Sequence, residues 1–430
     1  MIITSKGKRH INGHKELTAH KEILDLTLDK EVCEEVYFPL TAPNGKELEV
    51  LVKEKDSVKV GTVLAKRVDF YVPIYSSVSG KVKEIKDLYN SALGKKCKHL
   101  VIENDFKYER EYLKKVDYNK VSKDELLEGL KEVGLVGLGG AGFPTYVKYS
   151  SNAVINSVLV NAVECEPYLT TDYVTMKGNV KYLLEGCKIL MKLSEAKEAV
   201  IAFKNNKKDL EELINKELVN YPDIRIVLVK DKYPMGWEKA LVKTVFKKTY
   251  DRLPSDVGVV VNNAQTVIGV AKGLIEGETI STRVITVSGD AVNPNNVLVP
   301  VGTLAKNILV KCGYTEEEVC VLAGGPMTSK ANISDEFALQ LHMGALTIMK
   351  KPVYETLPCL KCGKCIENCP AGIQPIQIKN AFDNKDVKEL QAFECNKCVE
   401  CGMCSFVCPS KIDLKDAIAK AKLYLRVAGK

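Results

Sequence analysis

Residues 135–148 read LVGLGGAGFPTYVK, in which Gly137, Gly139 and Gly142 spell G-x-G-x-x-G. A run of that kind holds a pyrophosphate when it leaves a strand, turns, and opens a helix whose N-terminus faces the ligand. What precedes it here is KDELLEGLKEVGLV, a helical pattern with its own break at Gly134. Only Leu135 and Val136 remain, too few for the required strand, so the usual dinucleotide-binding unit is excluded. The four glycines at 137, 139, 140 and 142 still let backbone N–H groups approach an anion closely, with Lys148 a turn or two beyond. A plain flexible turn is the alternative, because a lone glycine-rich match is weak.

Downstream, four apolar runs bounded by turn-formers read as buried strands: 157–162, 198–203, 224–229 and 257–262. Helical patterns lie between them at about 177–193, 206–218 and 237–247. This alternation implies a parallel sheet covered on both faces, an α/β domain over roughly 120–265. Three stretches begin at carboxyl ends of these strands, where open α/β sheets bind ligands. VNAVECEPY (160–168) supplies Asn161, Glu164 and Glu166; KYPMGWEKAL (232–241) supplies Gly236 and Glu238; VVVNNAQT (259–266) supplies Asn262, Asn263 and Thr266. Singly, each Asn or Glu reads as a cap or a solvated turn residue. Together they suit the polar edge of an isoalloxazine ring and its ribityl hydroxyls.

Residues 281–330 change character: short strands around a turn, a helix ending at Gly313, and another strand in VCVLAGGP make a small α+β unit. Residues 36–104 are strand-rich with glycine turns and look like a biotinyl/lipoyl-type barrel sandwich. A carrier domain presents its modified lysine on an exposed hairpin. Lys66 has no such setting, so the unit reads as scaffold, and a mass shift at Lys66 would be needed to revive the carrier reading.

Charge and apolar content narrow the class. The net charge of +7 over 430 residues, with no block of five like charges, favours a solvated lysine-rich surface over nucleic-acid binding. No stretch of eighteen apolar residues occurs, so no membrane span is expected, and the N-terminus lacks a signal-like apolar core. Nine of the fifteen cysteines fall in the last 72 residues, a distribution unlike a disulfide framework.

Residues 359–370, CLKCGKCIENCP, and 398–409, CVECGMCSFVCP, are both C-x2-C-x2-C-x3-C-P, the run that holds [4Fe–4S] clusters in bacterial ferredoxins. In this pattern three closely spaced thiolates reach one cube and the fourth, before proline, points to the other. Cys359, Cys362, Cys365 and Cys408 are thus assigned to one cluster, and Cys398, Cys401, Cys404 and Cys369 to the second. Structural zinc pairs two C-x2-C knuckles across a long spacer, which does not fit. Cys395 would also start a C-x2-C-x2-C run, but Ser405 stands where the fourth ligand belongs, so Cys395 reads as a buried or spare thiol, with an exposed redox thiol as the alternative.

GLGGAGFPTYVK, NAVECEP, YPMGWE and VNNAQT, in that order and followed by the small α+β unit and the cysteine runs, resemble the flavin-binding (51 kDa) subunit of respiratory complex I and, more closely, the RnfC component of the bacterial Rnf complex. The resemblance covers nearly the whole chain. It implies a multidomain α/β protein: a barrel sandwich (1–115), an FMN- and NADH-binding domain with a parallel sheet (116–270), an SLBB-like β-grasp domain (271–345), and a two-cluster ferredoxin-like α domain (346–430). It implies that Gly137, Gly139, Gly140, Gly142, Lys148, Asn161, Glu164, Gly236, Glu238, Asn262, Asn263 and Thr266 line FMN. Phe143, Lys148 and Glu166 would contact the nicotinamide nucleotide. No side chain is expected to act as acid or base. NADH would be oxidised, and electrons would leave through the two clusters to a protein acceptor.

Val163 departs from the complex I pattern, which has an acidic residue there that Rnf-type chains also lack, whereas Trp237 and the stretch PLTAPNGKELEV depart from the Rnf pattern. They move the reading toward the proline reductase-associated electron transfer proteins (PrdC) of amino-acid-fermenting anaerobes. On that reading the partners are proline reductase components and the location cytoplasmic. The alternative is an RnfC component of a membrane-bound ferredoxin:NAD oxidoreductase, peripheral at the inner face, whose partners are the other Rnf subunits. A third, of another class, is a flavin-less iron–sulfur wiring subunit. Trp237 fits equally a packed core position and a place stacked near the cofactor.

Overall fold

The structure, a computed structural model, describes residues 11–140, 142–290, 292–314 and 318–428. At its centre lies a four-stranded, all-parallel sheet built from the expected runs: Ser157–Asn161, Glu198–Lys204, Ile224–Val229 and Val259–Asn263. The order across the sheet is third, second, first, fourth. Alternation along each strand sends Val158, Val160 and Val260 into one core and Leu159, Val259 and Val261 into another. β-Branched residues buried on both faces are what a parallel sheet under helices requires. Helices Val180–Ser194, Lys208–Leu218 and Ala264–Ala271 cover the first face, and Glu238–Phe246 covers the second.

The helix Lys123–Glu132 opens on a capping box at Ser122 and Glu125 and stops at Gly134, whose φ of 69° only glycine adopts freely. No strand precedes the glycine run; an isolated bridge between Val136 and Pro144 closes it as a small loop. The run then enters a single 3-10 turn, Tyr146–Tyr149.

The N-terminal unit is two small sheets face to face, one of four strands and one of three, around Val36, Phe38, Leu64, Leu100 and Ile102. Lys66 ends a strand opposite Glu49, pairing with it at 3.2 Å. The hairpin that follows is pinned: Tyr71 donates to Glu132, and Phe70 meets Phe143 edge-on at 6.0 Å between centroids. The barrel is braced against the sheet domain.

The β-grasp sheet differs from its expected limits at both ends. Its six strands include Ile23–Asp25, which runs parallel to Asn296–Leu298, and Ala345–Lys350, which lies between Thr282–Gly289 and Val319–Ala323. We therefore place the end of this unit at 350, not 345, and count residues 23–25 with it although the barrel lies between them in sequence. Short strands that complete a distant sheet have no local signature, since their pairing supplies their stability. The C-terminal unit packs helices Pro375–Asp383, Val387–Ala392 and Leu414–Ala428 over Ile378, Leu390, Leu414 and Ile418.

Helix packing on the sheet predicts one stability effect. A Cβ on Gly186, in the middle of Val180–Ser194, would lie 2.2 Å from the carbonyl oxygen of Val267. Gly186→Ala gains about 0.5–1 kcal/mol of helix propensity but forces the two helices apart, an overpacking cost of about 1–3 kcal/mol. Thermal unfolding of the variant should shift down by a few degrees; an unchanged or higher midpoint would show that the helices slide freely.

Candidate functional site

Because the sheet is parallel, every strand ends on the same edge, and a cleft of about 660 Å³ opens there. Register places Asn161 directly beside Asn263. Asn161 donates to the carbonyl of Gly236 at 2.8 Å and accepts from the N–H of Val163, tying the first strand tip to the loop before Glu238. Asn263 caps the helix Ala264–Ala271 by accepting from Gln265 N–H, and donates to Asp172 at 2.8 Å. Gln265 donates to the other oxygen of Asp172 at 2.7 Å, and Asp172 N–H donates to Glu164. Burial, with the charge of Glu164, pushes the Asp172 carboxyl up to about 6.

The glycine loop forms the opposite lip. Gly137 donates to Phe143 O, and Leu138 N–H donates to Thr266 Oγ1 at 3.0 Å, anchoring the loop on the sheet. A Cβ at Gly139 would sit 3.2 Å from that of Asn263, so the backbone reaches the strand tips as closely as it can. Lys148 donates to the carbonyl of Val261 at 2.7 Å, and burial lowers its pKa against the opposing pull of Glu238. Glu238 accepts from Tyr250 at 2.7 Å.

Of the predicted residues, Gly137, Gly139, Gly140, Lys148, Asn161, Glu164, Glu166, Gly236, Glu238 and Asn263 line the cleft. The other four stand behind its wall. Asn262 points to the opposite face of the sheet, as alternation requires, and donates to Tyr149. Thr266 lies beneath the loop as the acceptor for Leu138, Gly142 faces His342, and Phe143 packs on Phe70 at the barrel. Glu166 is turned toward the β-grasp unit: one of its oxygens accepts from the N–H groups of Met327 and Thr328, both at 2.8 Å.

Sequence reading missed a wall built from distant segments. Gly324, Gly325, Thr328, Ser329, His342 and Met343 come from the β-grasp unit, and Val399 and Cys401 from the cysteine-rich one. Burial and the nearby Arg283 lower His342 to about 4, so its imidazole is neutral at ordinary pH. Lys15, also missed, reaches from the N-terminal segment to the carbonyls of Glu166 and Leu169. The one local signal was the glycine pair at 324–325, where a Cβ on Gly325 would overlap Glu166.

The eight motif cysteines separate into two fours, as their spacing implied. Cys359, Cys362, Cys365 and Cys408 surround a cavity of about 430 Å³. Cys369, Cys398, Cys401 and Cys404 surround a narrower one. Among the described residues no three cysteine, histidine or carboxylate side chains converge on a single-ion site. In both runs a backbone N–H two residues on donates to the first sulfur at 3.4 Å, Lys361 to Cys359 and Glu400 to Cys398. Thiolate rings with N–H···S bonds are the donor set that iron–sulfur clusters use. Cys395 is fully buried and lines neither cavity, and burial raises its pKa to about 11; the exposed redox-thiol reading is thereby set aside.

Trp237 lines the cleft and packs against the core of the cysteine-rich unit. Tyr233 beside it donates to the carbonyl of Cys401 at 2.5 Å, and Lys415 donates to the carbonyls of Met327, Thr328 and Ser329. Cys401 lines the cleft and the inner cysteine ring alike.

A glycine-lipped cleft opening onto one of two tetracysteine rings defines an electron-transfer flavo-iron–sulfur protein. Comparison with known proteins agrees. Residues 130–272 match the FMN-binding domain of the complex I 51 kDa (Nuo51) type, residues 3–107 the RnfC barrel sandwich hybrid domain, and residues 358–412 a 4Fe-4S dicluster domain. The RnfC protein of the proton-translocating ferredoxin:NAD(+) oxidoreductase complex of Clostridium ljungdahlii is 32% identical over 411 residues, 92% of this chain and 88% of that protein. Its counterpart in the Na(+)-translocating complex of Acetobacterium woodii is 30% identical over 393 residues, 87% and 86% of the two chains. The counterpart in the ion-translocating oxidoreductase complex of Rhodobacter capsulatus is 30% identical over 397 residues, 89% and 76%. The chain belongs to the RnfC family. These relatives favour the Rnf alternative over the PrdC reading, and the FMN-domain match tells against the flavin-less one.

The loop anchor can be tested directly. Thr266→Val keeps the shape but leaves the Leu138 N–H without its acceptor, a buried loss of about 1–3 kcal/mol. Fluorescence titration of the apoprotein with FMN should show affinity weakened roughly tenfold; unchanged affinity would mean the loop needs no anchor.

Proposed function

We propose that this chain is the NADH-oxidising member of an Rnf-type complex and passes electrons between a nicotinamide nucleotide and other subunits through both clusters. Its support is the position of Cys401, which walls both the cleft and the inner cysteine ring, so no protein layer separates the two sites. A bound flavin supplies the exchange between a two-electron hydride and single electrons.

The chain's own residues do the rest by position. The glycine lip and Lys148 offer backbone N–H groups and an ammonium to phosphate oxygens. Asn161, Asn263 and Glu238 offer amide and carboxylate groups to a ring edge and hydroxyls. Glu164, Glu166, Asp172 and Glu238 make the cleft acidic apart from Lys148. A ribose lying there is recognised as a hydroxyl, and a 2′-phosphate is repelled. Cys369, Cys398, Cys401 and Cys404 would hold the cluster next to the cleft, and Cys359, Cys362, Cys365 and Cys408 the one beyond it. Among the described residues no helix is long and apolar enough to cross a membrane, so attachment to one falls to the partner subunits.

Anaerobic titration of the reconstituted protein tests this reading. NADH should bleach the flavin band and then the cluster absorbance, and NADPH should be at least tenfold less effective. Cys401→Ser should leave flavin bleaching intact while cutting reduction of the outer cluster by a factor of ten or more. Protein that binds no flavin, or whose flavin ignores NADH, would rule the proposal out.

A further inference from the structure

Glu164 and Glu166 enter the cleft from one loop, residues 164–170, just beyond the first sheet strand. That loop is strained. Tyr168 is buried with a φ of 70°, a left-handed conformation that a side chain of its size rarely adopts. A segment distant in sequence, residues 13–18, holds it there. Tyr168 N–H donates to the carbonyl of Gly13 at 2.7 Å, and its ring stacks on His14 with centroids 4.5 Å apart. The hydroxyls of Thr18 and Thr170 share a hydrogen bond at 2.7 Å. Asn296 of the β-grasp sheet accepts from Thr170 and donates to the carbonyl of Thr18.

Lys15 stands in the middle of this clasp. Its side chain is 15% exposed and lies outside the cleft. The ammonium donates to the carbonyl of Glu166 at 2.7 Å and to that of Leu169, and it lies 4.0 Å from Oε2 of Glu164. The other oxygen of Glu164 accepts from Asp172 N–H, so this carboxylate is held from two sides. Lys15 also lines a small cavity with Lys204, Lys207 and Asp231, and Glu164 belongs to the walls of both that cavity and the cleft. The charged groups facing Lys15 are thus Glu164, Lys204, Lys207 and Asp231, the last paired with Lys204 at 2.6 Å. Cys165, also near, is kept neutral by burial, which raises its thiol to about 11. Burial lowers Lys15 to about 8 against the opposing charge of Glu164, and Lys204 and Lys207 push the same way as burial.

We propose that Lys15 is a positioning residue for the nicotinamide nucleotide: its ammonium fixes the loop that presents Glu164 and Glu166 and offsets the charge of Glu164, so that an anionic dinucleotide enters a cleft rich in carboxylates. The proposal rests on the function proposed above and adds to it a residue from outside the cleft. The sign of its pH dependence follows. Below about pH 8 Lys15 is charged and the offset is in place; above it the offset is lost and dinucleotide affinity falls. Arginine at this position would keep its charge throughout, and methionine would have none.

Calorimetric titration of the flavin-loaded full chain with NAD+ tests this, because NAD+ binds without delivering electrons. Wild-type affinity should hold to about pH 7.5 and weaken severalfold by about pH 9. Lys15→Met should be weaker by about tenfold at neutral pH and show no such break. Lys15→Arg should match wild type at neutral pH and keep that affinity to about pH 9. Lys148 is common to all three proteins, so differences between their profiles belong to Lys15. The limiting rate of flavin bleaching by saturating NADH should stay within about twofold in each, since binding and not the transfer step is affected. Lys21→Met, which removes an exposed lysine of the same N-terminal stretch, should change nothing. Unchanged NAD+ affinity in Lys15→Met would overturn the proposal. So would Lys15→Arg binding as poorly as Lys15→Met, which would mean packing alone, or Lys15→Arg keeping the wild-type pH break. If Lys15→Met does not fold, the comparison of wild type with Lys15→Arg decides. A flavin that ignores NADH while NAD+ affinity still follows Lys15 would sink the function proposed above and leave this assignment standing.

Discussion

The parallel register of four strands governs this molecule. Parallel strands put all their carboxyl ends on one edge, and the pairing of Asn161 with Asn263 brings two amides from residues about a hundred positions apart into adjacent places there. The glycine loop reaches those amides only because no Cβ stands at Gly139. Asp172, itself held by Gln265 and Glu164, fixes Asn263, and Gly236 with Val163 fixes Asn161, which leaves little freedom to be lost when a ligand enters. Shifting the last strand by one residue would put Asn262 in the place of Asn263 and turn the polar edge inward.

A second constraint is the seam between cleft and inner cysteine ring. It is held by ties of different kinds: the Tyr233 hydroxyl on Cys401, the Lys415 ammonium on three carbonyls, and the contact of Gly402 with Met327. Lys415 gains in these bonds while burial lowers its pKa and Glu166 opposes that loss. The unit that carries the thiolates is thus fixed to the wall of the cleft and not tethered by a linker, as electron transfer over a short, constant gap requires.

Much of this was legible in the residues. The four central strands were visible because β-branched runs between turn-formers are buried on both faces. The cysteine pairing was visible because ligand spacing and the proline turn dictate it. The absence of a strand before Gly137 removed the usual dinucleotide-binding fold, though not a nucleotide at the loop. What could not be read was long-range: the strand Ile23–Asp25, the β-grasp wall of the cleft, and the ammonium of Lys15 lie far in sequence from what they complete. Asn262 was misplaced for a local reason, since the period-two rule was not applied to the last strand's tip. Trp237 and the stretch PLTAPNGKELEV drew the reading toward a soluble relative, yet the chain is 32% identical to an Rnf protein over 92% of its length, and Trp237 packs against the core of the cysteine-rich unit.

The unequal cover of the two rings has a consequence for handling the protein. Sulfur oxidation follows access, and Cys359 and Cys362 meet solvent whereas Cys404 is buried. Dioxygen would therefore reach the outer thiolates first. Material prepared in air would then keep the colour of the flavin and the sheltered cube and look intact, while its outlet to the rest of the electron circuit would already be cut.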